Sequence, residues 1–331
     1  MEVPQILSNS GKINEYIHLV DLHEYGIPKI LSAYIGEFDN GTIIMDCGSS
    51  LDIQNLLKYL KENQISLSQI TYLITTHHHF DHNGGMWKLY NHIRKYNPIV
   101  RILTNSLTKN LFNNYQTHLE RAKRTYGNMV GTMKPIEDKA FELIQPSKTF
   151  DENLNNLEFH KEFSLKGEQV QLVIFATPGH TPDHQSLGLV RGNQIDFLFL
   201  GEAIGTLYHT SKLITTPTSM HTYFNYSQYI SSVQNLEKLA PQQAGFAHFG
   251  VVNGQENIKQ IIREHKEFMK EFRALVVQYY KENPKTKYVV NKLLPYMTKR
   301  VELRGKMEDT FKAIVLGVVY GMMMDLGYRK E

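Results

Sequence analysis

His77, His79, Asp81 and His82 fall within a span of six residues inside Thr76-His77-His78-His79-Phe80-Asp81-His82-Asn83-Gly84-Gly85. Imidazoles and a carboxylate at that density, with no thiolate among them, form a metal-binding set that favours zinc, iron, manganese or cobalt over copper(I). In a locally extended loop, residues two apart point the same way, so His77 and His79 form one pair and Asp81 and His82 supply a second one step on. Two pairs at that spacing suit two ions. His78 alternates away from its neighbours and is expected to be packed or solvated rather than a ligand. His180, in Pro178-Gly179-His180-Thr181-Pro182-Asp183-His184, and His248, in His248-Phe249-Gly250, would bring one ion to three nitrogens and the other to two.

These residues need elements to place them. Ile70 to Thr75 is β-branched, apolar and short enough for a buried strand, which puts the histidines in the loop at its C-terminal end. Gly84 and Gly85 permit a tight turn, and 86–93 has the spacing of a helix packing back. Ahead of this unit, 15–22, 29–38 and 42–46 read as strands around the turn Asp39-Asn40-Gly41, followed by a helix over 51–63. Polar, helical residues 104–149 read as an inserted lid. Strands are expected over 157–163 and 168–177, the second ending at the His180 motif. A hairpin around Arg191-Gly192-Asn193 joins 185–190 to 195–200 and ends at Gly201-Glu202. A helix over 223–239 stops at Ala240-Pro241, and a strand over 243–247 delivers His248. Four strand ends thus carry the candidate residues. Helical pattern fills the remainder, in three or four segments broken near Asn283-Pro284 and Leu294-Pro295. The expected division is a catalytic domain over 1–254, with the lid at 104–149, and a separate C-terminal helical segment over 255–331.

The 331 residues accommodate one large α/β domain with an accessory segment. Lysine and arginine number 36 against 33 acidic residues, a balance that gives no electrostatic reason to expect nucleic acid. Cys47 is the single cysteine, so an intrachain disulfide and a thiolate-rich zinc knuckle are both excluded. That suits a reducing interior, and the first twelve residues have no apolar run of signal-peptide length, so a cytoplasmic location is expected. The apolar stretch Ala313 to Met324 is shorter than a bilayer span and reads as a buried helix, with no membrane anchor. The methionine run Gly321-Met322-Met323-Met324 suits core packing or a homo-oligomer contact. A small molecule is the expected partner.

In their order and spacing, HxHxDH at 77–82, PGHTPDH at 178–184, a Gly-Glu pair after a strand at 201–202 and AHFG at 247–250 resemble the metallo-β-lactamase-fold hydrolase superfamily, and within it the glyoxalase II-like branch. The likeness spans roughly residues 14 to 255. It implies a four-layer αβ/βα sandwich of two mixed β-sheets with the site at one edge. It also implies two divalent metal ions, zinc first with iron or manganese as alternatives: His77, His79 and His180 at one, Asp81, His82 and His248 at the other. Glu202 would bridge them, one methylene longer than the family's usual aspartate.

The implied activity is hydrolysis of a small ester, thioester or lactone by a metal-bound hydroxide, with Asp81 as the catalytic group that orients it and moves its proton. Asp46 resembles the family aspartate that accepts a hydrogen bond from a metal-bound histidine; the alternative is a cap for the helix that starts near Ser49-Ser50. His184 is expected to support the site through a structural hydrogen bond. Tyr208 and Tyr223, downstream of Glu202, are candidates to line a substrate pocket, and the Arg121 to Arg124 cluster reads as a solvated helix face. The same fold hosts mononuclear iron persulfide dioxygenases and phosphodiesterases or nucleases, which stand as alternatives. The flavodiiron pattern HxExDH differs at His79, and no flavodoxin-like module follows.

Overall fold

Apolar residues alternate between two buried faces along most strands, and this patterning produces a layered molecule. The computed structural model describes residues 4–151, 154, 156–220, 223–302 and 307–330. The first half of the chain builds one sheet. After β1 (Ile6–Leu7), which joins the other sheet, β2 (Gly11–Lys12), β3 (Ile17–Asp21), β4 (Ser32–Phe38) and β5 (Gly41–Met45) run as an antiparallel meander. Helix α1 (Ile53–Glu62) then leads to β6 (Ile70–Ile74). The short α2 (Phe80–Asn83) and α3 (Met86–Ile93) lead to β7 (Arg101–Thr104). Helices α4 (Ser106–Asn113) and α5 (Gln116–Tyr126) precede β8 (Phe141–Leu143), and β5 to β8 pair in parallel.

The second half repeats the logic. Strands β9 (Lys161–Leu165), β10 (Glu168–Ala176), β11 (Gln185–Arg191) and β12 (Gln194–Phe199) are antiparallel. Helix α6 (Tyr226–Leu236) returns the chain to β13 (Gln243–Phe246), parallel to β12, and β14 (Gly250–Asn253) turns back between β13 and β1. Helices α7 (Gln255–Glu282), α8 (Thr286–Thr298) and α9 (Met307–Asp325) follow. Among the described residues each sheet has seven strands in mixed orientation.

Period-two alternation sorts these side chains into layers. Tyr34 of β4, Ile43 and Met45 of β5, Leu172 and Ile174 of β10 and Phe197 and Phe199 of β12 meet in the core between the sheets. Tyr34 contacts both phenylalanine rings, at centroid separations of 5.0 and 4.7 Å. Ala33, Ile35 and Ile44 turn the other way and pack under Ile53, Leu56, Leu89 and Phe112 of the first helical layer. Val173 and Phe175 face outward from the second sheet into a core with Tyr229 of α6, Phe272 of α7, Val289 of α8 and Met322 of α9. The result is the four-layer sandwich of two mixed sheets, and the C-terminal helices share one core with its second sheet.

Several elements differ from the sequence expectation. The strand expected from 157 begins at Lys161, and residues 104–149 contain β8 as well as helices, so this stretch also completes a sheet edge. Strands β1, β2, β7, β8 and β14 are only two to four residues long and carry too few residues for any periodicity to show. The break expected at Leu294-Pro295 does not occur there: α8 runs through Pro295 to Thr298. A proline costs one backbone hydrogen bond and a local clash, and burial of Val289, Leu293 and Met297 on one face of α8 offsets it. The apolar stretch 313–324 lies in α9, with Val315, Val318, Val319, Met322 and Met323 buried. No helix among the described residues is long and apolar enough to cross a membrane.

Candidate metal centre

Strand direction gathers the candidate residues. Because β10 and β12 are both antiparallel to β11, and β13 is parallel to β12, the C-terminal ends of β10, β12 and β13 share one edge of the second sheet. Parallel β5 and β6 do the same in the first. The two edges are stitched together: Gln185 donates its backbone N–H to Thr76 O at 2.9 Å and its side-chain Nε2–H to Thr75 O at 2.7 Å. Ser32 and Ala247 add a further bridge, N–H to O at 2.8 Å.

Three groups of donor atoms result among the described residues, one of them, His78, His79 and His118, sharing His79 with the first of the two that Glu202 joins. The ligand atoms of His77, His79, His180 and Glu202 lie within 4.8 Å of one another, as do those of Asp81, His82 and His248. Glu202 reaches both clusters. Its Oε2 is 2.7 Å from His180 Nε2, 3.4 Å from His77 Nε2 and 3.1 Å from His82 Nε2, and its Oε1 is 3.9 Å from His248 Nε2. Asp81 Oδ2 is 3.5 Å from His82 Nε2 and 3.7 Å from His248 Nε2. His79 turns Nδ1 inward, 3.1 Å from His180 Nε2.

The nitrogens on the far sides of these rings are anchored. His180 Nδ1–H donates to Thr218 O at 2.7 Å, His248 Nδ1–H to Ile30 O at 2.8 Å, and His77 Nδ1 lies 3.0 Å from Thr76 Oγ1. Such partners fix the tautomer and leave Nε2 bare for a cation. His77 Nε2 and both His82 nitrogens are buried with no hydrogen-bond partner. A buried polar atom left unpaired costs roughly 1–3 kcal/mol, which coordination of a divalent ion removes, so the donor set fits such an ion. Burial, reinforced by His82 for His77 and by His77 for His79, holds both imidazoles well below their ordinary pKa and keeps them neutral, the ligating form. Burial works the same way on His82, yet the Asp81, Glu202 and Asp46 carboxylates outweigh it and raise that ring to about 9, a measure of the negative field at the centre. Burial raises Glu202, but its contacts with His180, His77 and His82 prevail and hold it well below the carboxylate range.

The supporting residues each show a definite role. His184 accepts the Glu202 N–H on Nε2 at 3.0 Å and places Nδ1 2.8 Å from Thr177 Oγ1, so it fixes the backbone that carries Glu202. Asp46 accepts from Thr76 N–H at 2.7 Å, Thr76 Oγ1–H at 2.6 Å and Asn83 Nδ2–H at 2.7 Å. It faces His82 Nδ1 at 3.7 Å, beyond hydrogen-bond reach, so it acts on that ring through charge and not through the expected hydrogen bond. Nor does it cap α1: Ser49 N–H donates instead to Asp52 Oδ2 at 2.8 Å. His78 is buried and pairs with Asp183, Nδ1 to Oδ1, at 2.9 Å. Replacing His184 with leucine is expected to leave the Glu202 N–H without an acceptor and to weaken metal affinity by about 10- to 100-fold. A zinc titration against a competing chelator measures it, and unchanged affinity would remove His184 from the supporting set.

A pocket opens over the centre. Its wall includes Tyr208 and Tyr223, together with Asp81, His79, His248 and Glu202. The remaining wall comes from elements far away in the chain: Glu24 and Tyr25 from the loop after β3, His118 and Arg121 from α5, and Ile314 and Val318 from α9. His118 stacks on His79 at 5.2 Å and accepts the Phe80 N–H on Nε2 at 3.2 Å. Lys123 and Arg124 are exposed, but Arg121 is half-buried against the pocket, so the reading of that cluster as a purely solvated face is corrected at this residue. The helix geometry explains it: Arg121 lies beside Ala122 and one turn before Thr125, both of which also line the pocket.

A family model described as the metallo-beta-lactamase superfamily matches residues 28–243. The metallo-beta-lactamase fold-containing protein ST1585 of Sulfurisphaera tokodaii is 26% identical over 260 residues, covering 76% of this chain and 85% of that protein. Its crystal structure, described for Sulfolobus tokodaii as that of an archaeal metallo-beta-lactamase superfamily protein, superposes with a TM-score of 0.62 at 20% identity, covering 94% of this chain and 99% of that one. The metallo-beta-lactamase family protein TTHA1429 of Thermus thermophilus gives 0.60 at 13% identity, with 96% and 95% covered. The subclass B3 metallo-beta-lactamase MEM-A1, from a soil metagenome library, gives 0.53 at 14%, with 81% and 96% covered.

Proposed function

This chain belongs to the metallo-beta-lactamase superfamily, and from that premise we propose that it is a dinuclear metal-dependent hydrolase of a small ester, thioester or lactone. The observation that carries the reading is Glu202, whose carboxylate lies between the two ligand sets, 2.7 Å from His180 and 3.1 Å from His82. His77, His79 and His180 would hold one ion, Asp81, His82 and His248 the other, with Glu202 shared. Divalent ions held there, zinc first and iron or manganese next, would supply hydroxide at neutral pH and Lewis acidity toward a carbonyl.

The chain's own residues supply the rest. Asp81 is partly exposed to the pocket while His82 beside it is fully buried, so its carboxylate can take a proton from the attacking group and deliver it toward the leaving atom. Among the described residues no serine or cysteine lines the pocket, and the Cys47 thiol is buried elsewhere and pushed well above its ordinary pKa by that burial, so neither offers a nucleophile. Much of the wall is aromatic and aliphatic, with Phe80, Tyr126, Tyr208, Met220, Ile314 and Val318, which suits the apolar part of a small acyl compound. Arg121 is its only lysine or arginine among the described residues, which suits a small acyl compound better than a nucleic-acid backbone.

Metal-loaded protein is expected to hydrolyse at least one member of a panel of aryl esters, thioesters, lactones and phosphodiesters, with a carboxyl derivative preferred. Silence across the panel would defeat the reading. One redox-active iron per chain with oxygen uptake on a persulfide would replace it with dioxygenase chemistry.

A further inference from the structure

We propose that Glu24 is a specificity-determining residue that hydrogen-bonds a second polar group of the substrate, a neutral amide or hydroxyl set apart from the bond that is cleaved. Glu24 sits in the loop between β3 and β4, only 1% exposed, yet it lines the pocket over the metal centre. Its Oε1 has no hydrogen-bond partner. The Tyr25 phenol is its neighbour in the same loop. Around it stand Asp81, Tyr25, Tyr126 and Tyr208, all lining the same pocket.

A structural role does not account for this carboxyl. Asp183, a buried acid that holds the fold together, is fully paired: it accepts from Thr108 Oγ1–H at 2.9 Å and pairs with His78 at 2.9 Å. The loop that carries Glu24 is already fastened by Asp21, which accepts the His23 N–H at 3.0 Å and the Lys29 N–H at 2.9 Å. The backbone is left-handed at His23 and Tyr25, with φ of 51° and 56°, so the chain adopts a costly conformation on either side of Glu24. A buried carboxyl with one unpaired oxygen in the wall of a cavity is what a site built to read a polar substrate group looks like without that group. Burial, and next the Asp81 and Asp52 carboxylates, push the Glu24 carboxyl well above its ordinary value. A carboxyl oxygen accepts from an N–H or O–H, and an amide or a hydroxyl presents one. A cationic group is disfavoured, because the same pocket is to hold two divalent ions.

The inference rests on the hydrolase reading for its substrate, and the test separates the two. Metal-loaded protein is given two aryl esters of equal acyl length, para-nitrophenyl β-acetamidopropanoate and para-nitrophenyl hexanoate, which differ by an amide in place of two methylenes. The expected ratio of kcat/KM is roughly 10- to 100-fold in favour of the amide. In Glu24→Leu that ratio is expected to collapse toward one while Tm stays level or rises, since a buried unpaired carboxyl has been replaced by an apolar group. Glu24→Met, closer in shape, carries the same expectation should the leucine variant fold poorly. Calorimetric binding of the two matching methyl ketones, which cannot be hydrolysed, reads the same preference without turnover. If neither ester nor any member of the wider panel is cleaved but the amide ketone binds more tightly to the unmodified protein than to Glu24→Met, the hydrolase reading fails and the role of Glu24 stands. Absence of any amide preference in the unmodified protein, or a sharp fall in Tm with the ratio retained in the variants, overturns the proposal.

Discussion

Stripping divalent ions from the protein with a chelator is expected to abolish hydrolysis and to lower Tm, with both restored when metal returns. The expected stoichiometry is two ions per chain by elemental analysis. The site explains both effects. His77 and His82 are fully buried with Nε2 unpaired, and Asp81 and Glu202 face the same His82 ring at 3.5 and 3.1 Å. Without cations those acceptors and charges have only one another. An ion that binds the folded state alone stabilises it by about 2.7 kcal/mol at a free concentration a hundred times its Kd, which for a domain of this size corresponds to roughly 4–8 °C in Tm. Thermal unfolding with and without zinc measures the shift. A chelated protein with unchanged Tm and undiminished turnover would show that the histidine cluster is not a metal centre.

Replacing Glu202 with alanine is the second change with a large expected effect. Its carboxylate is within 3.9 Å of four imidazoles drawn from both ligand sets, at 2.7 Å from His180, 3.1 Å from His82, 3.4 Å from His77 and 3.9 Å from His248. Its loss removes the single group common to both sets and a buried negative charge that offsets two cations. Metal content is expected to drop to one ion per chain or fewer, and kcat/KM to fall by more than the roughly 100-fold that follows loss of an outer partner. Glu202→Asp keeps the charge and shortens the arm by one methylene, so its metal content and turnover should lie between those of alanine and glutamate. Two ions per chain with near-normal turnover in the alanine variant would rule out a shared carboxylate.

Much of the centre was legible in the chain because its signals are local. A β-branched run followed by HxHxDH places the histidines at a strand end without reference to anything distant, and the end of β6 at Ile74 and the start of α2 at Phe80 bracket that motif. The hairpin around Arg191-Gly192-Asn193 was legible for the same reason. Pro295 misled because its cost is local while its compensation, the burial of Val289, Leu293 and Met297, comes from tertiary packing. The short edge strands carried too few residues for alternation to register. Arg121 misled because a charged residue on a polar helix looks solvated until the surface beneath it is known.

The sequence by itself determined the chemistry available: imidazoles and carboxylates at four strand ends, a lone cysteine, and short apolar strands that need covering layers. Strand periodicity and loop adjacency reach only a few residues, and these features need no more. Only the tertiary structure decided which atoms meet. His79 and His180 are 101 positions apart, and Gln185 and Thr75 are 110, yet each pair is closed by the packing of one sheet edge on the other. The inward turn of His79 Nδ1, the reach of Glu202 into both clusters and the pocket wall assembled from Glu24, α5 and α9 all follow from that closure. Burial then sets their charge states, because a carboxyl such as Glu24 acquires its unpaired oxygen and raised pKa from the surfaces folded around it and not from its neighbours in the chain.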